Sequence, residues 1–164
     1  MEKTGCLIGH RSIERTPEML RTLSEIMQTL IVRDQIKTFL LRSGSRFSEI
    51  CLDVLYEEKR RHPEIRRICV RADYPEINEA YRAQLLERYD EALFAPPAAG
   101  AWERRYIARN EWMIDQSEVC VFYCPDYREM PVNGLFPSES ARAYHDALQK
   151  GKRVINLADD RTLL

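Results

Sequence analysis

Short, nearly unbroken apolar runs alternate along this chain with stretches whose apolar residues fall three and four positions apart. The first pattern reads as a buried strand and the second as a helix with one buried face. Cys6-Leu7-Ile8 is the first strand, and it stops at Gly9-His10-Arg11. Thr16 then caps a helix that has Pro17 at its first position. Met19, Leu20, Leu23, Ile26, Met27, Leu30 and Ile31 give that helix one apolar face as far as about Val32. A second strand runs from Ile36 to Leu41 and ends at Ser43-Gly44-Ser45, from which a helix proceeds to Arg61, where His62-Pro63 ends it.

The same alternation continues to the end. Ile65 to Val70 is a third strand, Ile77 to Tyr89 a mostly polar helix, and Ala92-Leu93-Phe94 a short fourth strand. Pro96 to Gly100 is a loop of turn formers and small residues, a candidate rim over a site. Trp102 to Gln116 reads as a helix, Val119 to Tyr123 as the fifth strand, and Pro125 to Phe136 as irregular chain. Ser138 opens a last helix that ends at Lys150-Gly151, and Val154 to Leu157 closes the sheet. Strands and helices in this order predict an α/β fold, three-layer and Rossmann-like, with a mostly parallel sheet covered by helices on both faces. Residues 1–164 read as a single domain without internal repeats. In such sheets ligands bind at the carboxyl ends of the strands.

Composition narrows the function classes. The 164 residues are 45% hydrophobic and 31% charged, which suits one core and leaves no room for a second. A net charge of −1 gives no electrostatic footprint for nucleic acid or an anionic membrane, so any basic group acts locally. Cys6, Cys51, Cys69, Cys120 and Cys124 lie mostly in apolar runs, and their odd number, without a leader segment, predicts reduced thiols and a cytoplasmic location. His10, His62 and His145 are scattered, so the spacing predicts neither a metal site nor a cofactor. No apolar run approaches the ~20 residues of a membrane span.

Three polar clusters fall at or beyond the ends of predicted strands. Ser43-Gly44-Ser45 offers hydroxyls and backbone N–H groups at a helix start, as an anion site does, and Arg46 beside it could add charge. An ordinary capped turn uses the same residues. At Gly9-His10-Arg11 glycine lets the backbone approach a ligand and arginine pairs with phosphate. Ser138-Glu139-Ser140 caps the last helix, where the hydroxyls serve the helix or a ligand; a carboxylate at Glu139 repels an anion unless it turns away. Arg109, Asn110 and Asp115 place a cation, a carboxamide and a carboxylate on the helix before the fifth strand, either as a ligand-facing edge or as a solvated face. Trp102, Tyr106, Trp112 and Tyr123 are candidates to stack a base, although aromatic residues at helical spacing are more often core.

Together these clusters make the chain resemble the YpsA-like branch of the SLOG superfamily, over nearly its whole length. Gly9-His10-Arg11 is similar to the family's strand-ending TGHR, Ser43-Gly44 to its SGG, and Arg109-Asn110-Glu111-Trp112-Met113-Ile114-Asp115-Gln116-Ser117 to its RNxxMVDxS block. The resemblance implies a Rossmann-like pocket for a nucleotide-derived ligand, with the SGG and GGT loops facing phosphate or sugar. Ile8 replaces the family's threonine, the loop after Gly44 is shorter, and Ser138-Glu139-Ser140 stands at the GGT position. The related LOG enzymes carry a catalytic glutamate three residues beyond that threonine, where this chain has Ala143.

The reading that follows is binding or sensing of a nucleotide-derived small molecule at the carboxyl-end edge of the sheet, without catalysis. Arg109, Asn110 and Asp115 would organise the pocket edge, and Ser43, Gly44 and Ser140 would contact the ligand. An N-glycosidase or phosphoribohydrolase using Asp115 or Glu139 is the alternative. A degenerate domain acting as an interaction protein is the third reading, and a homo-oligomer is compatible with all three.

Overall fold

Successive strand residues enter two different cores. In β1 (Lys3–Gly9) Leu7 packs into one core and Cys6 and Ile8 into the other; in β5 (Val119–Tyr123) Val119 and Val121 face the first, Cys120 and Phe122 the second. This period of two, apolar on both faces, forces helices onto both sides of the sheet. The computed structural model describes residues 2–72, 79–96 and 104–159. Its remaining strands are β2 (Ile36–Arg42), β3 (Arg66–Arg71), β4 (Glu91–Phe94) and β6 (Arg153–Asn156). All six pair in parallel in the order β4-β3-β2-β1-β5-β6, giving the three-layer Rossmann-like α/β fold that the pattern predicts.

Helices α1 (Pro17–Gln28), α2 (Arg46–Arg61) and α3 (Glu79–Leu85) cover the first face, and α4 (Arg105–Asp115) and α5 (Glu139–Gln149) the second. The starts follow their caps: Thr16 Oγ1 accepts the Met19 N–H at 3.1 Å, and Ser138 Oγ accepts the Ala141 N–H at 3.0 Å. Boundaries shift where polar residues extend an element. Lys3 and Thr4 lengthen β1 by pairing beside β2, and α1 passes into one π turn, Thr29–Arg33, where a continuous helix to Val32 was expected. Of the expected helix from Ile77 to Tyr89, α3 ends at Leu85 and a turn carries the chain to Tyr89; Ile77 lies outside the described residues, as do Pro97 to Gly100 and Trp102. Within the expected irregular stretch, Val132 and Leu135 bridge across Asn133-Gly134, whose φ values of 52° and 76° fit a tight reverse turn.

The strand order fixes where a ligand belongs. Strands β1 to β4 are laid outward in one direction, and the chain then returns to place β5 on the other side of β1. The connections leaving β1 and β5 therefore diverge, and a crevice opens beyond their carboxyl ends. Among the described residues no helix is long and apolar enough to cross a membrane.

Candidate functional site

At the mouth of this crevice the strand ends carry unusual residues for a core. Arg42, the last residue of β2, has only 4% of its side chain exposed, and so does Arg109 in the first half of α4. Arginine is seldom buried this fully without a partner. Both donate to one atom, Glu139 Oε1 at the start of α5: Arg42 Nη1 at 2.9 Å and Arg109 Nη2 at 3.0 Å. Asn110 Nδ2 donates to the same oxygen at 3.1 Å, while Arg11 Nη2 stands 3.7 Å from Oε2. Arg42 also donates to the Gly9 carbonyl at 2.6 Å, and Arg109 Nε to Asn110 Oδ1 at 3.3 Å.

Three guanidinium groups thus converge on a single carboxylate. Burial, and then the charge of Arg42, pull the Arg109 guanidinium down to about 10, with Glu139 acting in the opposite direction. Burial lowers Arg42 as well, and its Nε is enclosed without a hydrogen-bond partner. Both groups remain cations at neutral pH, so the cluster holds surplus positive charge in a poorly hydrated place.

Among the described residues, three cavities adjoin Glu139 and the two buried arginines. A cavity of about 200 Å³ beyond β2 is lined by Arg11, Arg42, Ser43, Gly44, Tyr106 and Arg109 together with Ala72 and Tyr81. A second, of about 280 Å³ at the start of α5, is lined by His10, Arg11, Ser12, Arg42 and Ser138-Glu139-Ser140. The third is a groove of about 260 Å³ between α4 and α5, where apolar residues such as Ile107 and Phe136 alternate with the charged side chains of Glu111, Arg142 and Asp146, and which shares Asn110 and Glu139 with the cluster.

The structure gathers most of the residues singled out in the sequence, and it separates two of them. His10 lies in the α5 cavity, its Nε2 3.4 Å from Asp126 Oδ1 and its N–H donated to the Tyr123 carbonyl at 3.2 Å. Gly9 is glycine for a packing reason: a Cβ there would lie 2.4 Å from Phe47 Cγ, so α2 could not seat on the end of β1. Gly44 has φ +80° and open space around it, which makes it a turn residue at the cavity wall. Ser45 lines none of the three cavities; it is buried, capping α2 through the Ser48 N–H at 3.3 Å. The Arg46 N–H is donated to the Arg11 carbonyl at 3.2 Å. The start of α2 is therefore largely satisfied from within, unlike the open anion cradle expected there.

Asp115 is the clear correction. It ends α4 at the opposite edge of the sheet, where its side chain is 52% exposed and accepts from Lys150 Nζ at 2.6 Å. Arg109 and Asp115 sit six residues apart on one helix, roughly 9 Å along its axis. That is enough to send them to different ends of the molecule. Of the aromatic candidates, Tyr106 lines the β2 cavity, Tyr123 packs its ring 6.3 Å from Phe47, Trp112 joins the second core, and Trp102 lies outside the described residues.

Sequence reasoning missed Arg42 and the role of Glu139. Nothing in the spacing marks Arg42, the closing residue of Ile36–Arg42, because an arginine at a strand end is as readily solvated as buried. Among the described residues no group of three His, Cys, Asp or Glu side chains could hold a metal ion. No family model matches the chain, and no curated protein is similar enough to it to match.

Proposed function

We propose that this protein binds a phosphorylated, nucleotide-derived small molecule at the carboxyl-end edge of its sheet, around Arg11, Arg42 and Arg109. One observation carries the reading: two buried guanidinium groups and one exposed one converge on a single carboxylate, beside cavities that open to solvent. A polyatomic anion offsets that surplus charge and accepts the planar forks that arginine presents. The likeness of Gly9-His10-Arg11, Ser43-Gly44 and the Arg109-Asn110 block to the YpsA-like branch of the SLOG superfamily supports a nucleotide derivative as the anion's carrier. Binding or sensing suffices to account for the site.

A second reading, cleavage of an N-glycosidic bond, has Glu139 in its favour, since that carboxylate lines the α5 cavity. Its Oε1 already accepts three donors. It is placed to hold the arginines in register more than to take a proton from water. Asp115, the other carboxylate considered for this role, lies at the far edge.

Thermal denaturation with AMP, ADP-ribose and inorganic phosphate tests the proposal. Stabilisation that grows with ligand concentration and disappears in Arg42→Gln supports it. No shift with any of the three removes it. Release of free base during the same incubations would move the conclusion to the hydrolase.

A further inference from the structure

Beside the arginine cluster, the ends of β1 and β5 bring a second polar group to the same edge. Gly9 and Tyr123 are partners in the parallel ladder, and the His10 N–H is donated to the Tyr123 carbonyl, so both strands release their chains side by side. His10 follows one strand, and Cys124 and Asp126 follow the other. Asn156, fully buried at the end of β6, grips the Cys124 backbone: its Oδ1 accepts the Cys124 N–H at 3.0 Å and its Nδ2 donates to the Cys124 carbonyl at 3.0 Å. The Cys124 thiol in turn donates to Asp126 Oδ1 at 3.2 Å, and the same oxygen stands 3.4 Å from His10 Nε2. Burial, and then the Asp126 carboxylate, push the Cys124 thiol up, so it braces the carboxylate as a donor and is no nucleophile. The imidazole and its carboxylate are 23% and 18% exposed, a pair half withdrawn from water.

His10 also walls the α5 cavity of about 280 Å³, together with Arg11, Arg42 and Glu139. We infer that His10 is a proton-coupled switch for anion binding: the protonated ring adds a cation to the cavity that Arg11 and Arg42 wall, and the anion and the proton each strengthen the binding of the other. The inference rests on the anion-binding reading above and adds to it how affinity is regulated. Histidine is the side chain whose charge changes between about pH 5 and 8, and Asp126 is the counter-charge for that change. Protonated, the ring keeps Nε2 toward Asp126 and has its Nδ1–H to donate to an anion. Affinity is therefore greatest with the ring charged and falls as pH rises through its titration. The charged and titratable groups around the ring are Asp126 and the Cys124 thiol after β5, Arg11 next to it in the chain, Arg42 at the end of β2 and Glu139 at the start of α5. Ser45, at the start of α2, donates to the His10 carbonyl at 3.5 Å. Arginine is a cation across this range, and substitution of His10 distinguishes the ring from the two carboxylates.

Calorimetric titration of the whole chain with sulfate, in steps from about pH 5.5 to about pH 8.5 at constant ionic strength, tests the switch, because sulfate keeps its own charge throughout. Wild-type affinity is expected to fall about fivefold or more across the range. The binding heat is expected to vary with the ionisation enthalpy of the buffer, which reports a proton taken up with the anion. His10→Gln is expected to bind at every pH with the weak affinity that the parent shows at the alkaline end. Asp126→Asn keeps the ring, removes its counter-charge and is expected to move the fall to lower pH. Unfolding temperatures of the unliganded variants within a few degrees of the parent show that each folds, and the parent's proton uptake tests the inference without either variant. A flat parent profile overturns the switch while the anion reading stands. So does His10→Gln that keeps the parent's fall, whether or not it binds more weakly at every pH, and so does Asp126→Asn with the parent's profile. No sulfate binding at any pH removes the switch and the anion reading together.

Discussion

The two ends of α4 use charge in opposite ways. In its first half, Arg109 is buried beside Arg42, and both lean on Glu139 with positive charge to spare. At its end, Asp115 meets Lys150 in water, and Lys150 also pairs with Asp146 at 3.1 Å, so that two carboxylates surround one ammonium. An exposed cluster of this kind is screened and contributes little either to stability or to recognition. A buried cluster with unbalanced charge is costly, and such a cost persists where a ligand offsets it. Spacing along the sequence cannot tell these apart, because the distinction lies in how deeply each end is enclosed.

The comparison can be broken experimentally, beginning with its most consequential residue. Glu139→Ala leaves two buried guanidinium groups without a carboxylate. We expect it to destabilise the fold by about 3 kcal/mol, measured by urea denaturation, with part of the loss restored by millimolar phosphate. Unchanged stability would mean that water already reaches Arg42 and Arg109. Gly9→Ala drives a Cβ into the Phe47 ring at the same edge and should cost about 2 kcal/mol in the same assay. Ser138→Ala removes the α5 cap at an expected cost of about 1 kcal/mol, read as a lower melting temperature. At the other end of the helix Asp115→Ala should change stability by less than about 0.5 kcal/mol and leave AMP binding unaltered. A large effect on binding there would return Asp115 to the site.

Much of the fold was legible because it depends on local patterns. The apolar runs gave all six strands, and Thr16-Pro17 and Ser138 marked their helix starts. The site was legible in part. Arg11, Ser43, Gly44, Arg109, Asn110, Ser138 and Ser140 do gather at one edge, since Arg109 and Asn110 lie in the first half of α4 and the others stand near a strand end or helix start that a parallel sheet brings there. Arg42 was hidden because a strand ending in arginine looks the same whether that residue faces solvent or a crevice. Its partners Arg109 and Glu139 are 67 and 97 positions away in the sequence, and only the return of the chain from β4 to β5 brings them together. Glu139 reads in the sequence as a charge that repels an anion unless it turns away, or as a hydrolase's carboxylate, whereas in the structure Arg42 and Arg109 bind it.

Anomalous diffraction from crystals soaked in tungstate, a phosphate surrogate, tests the surplus-charge account most directly. The account predicts a tungsten peak within hydrogen-bonding reach of the Arg42 and Arg109 guanidinium groups, lost in Arg42→Gln. Full occupancy at some other surface, with that edge empty, would contradict it.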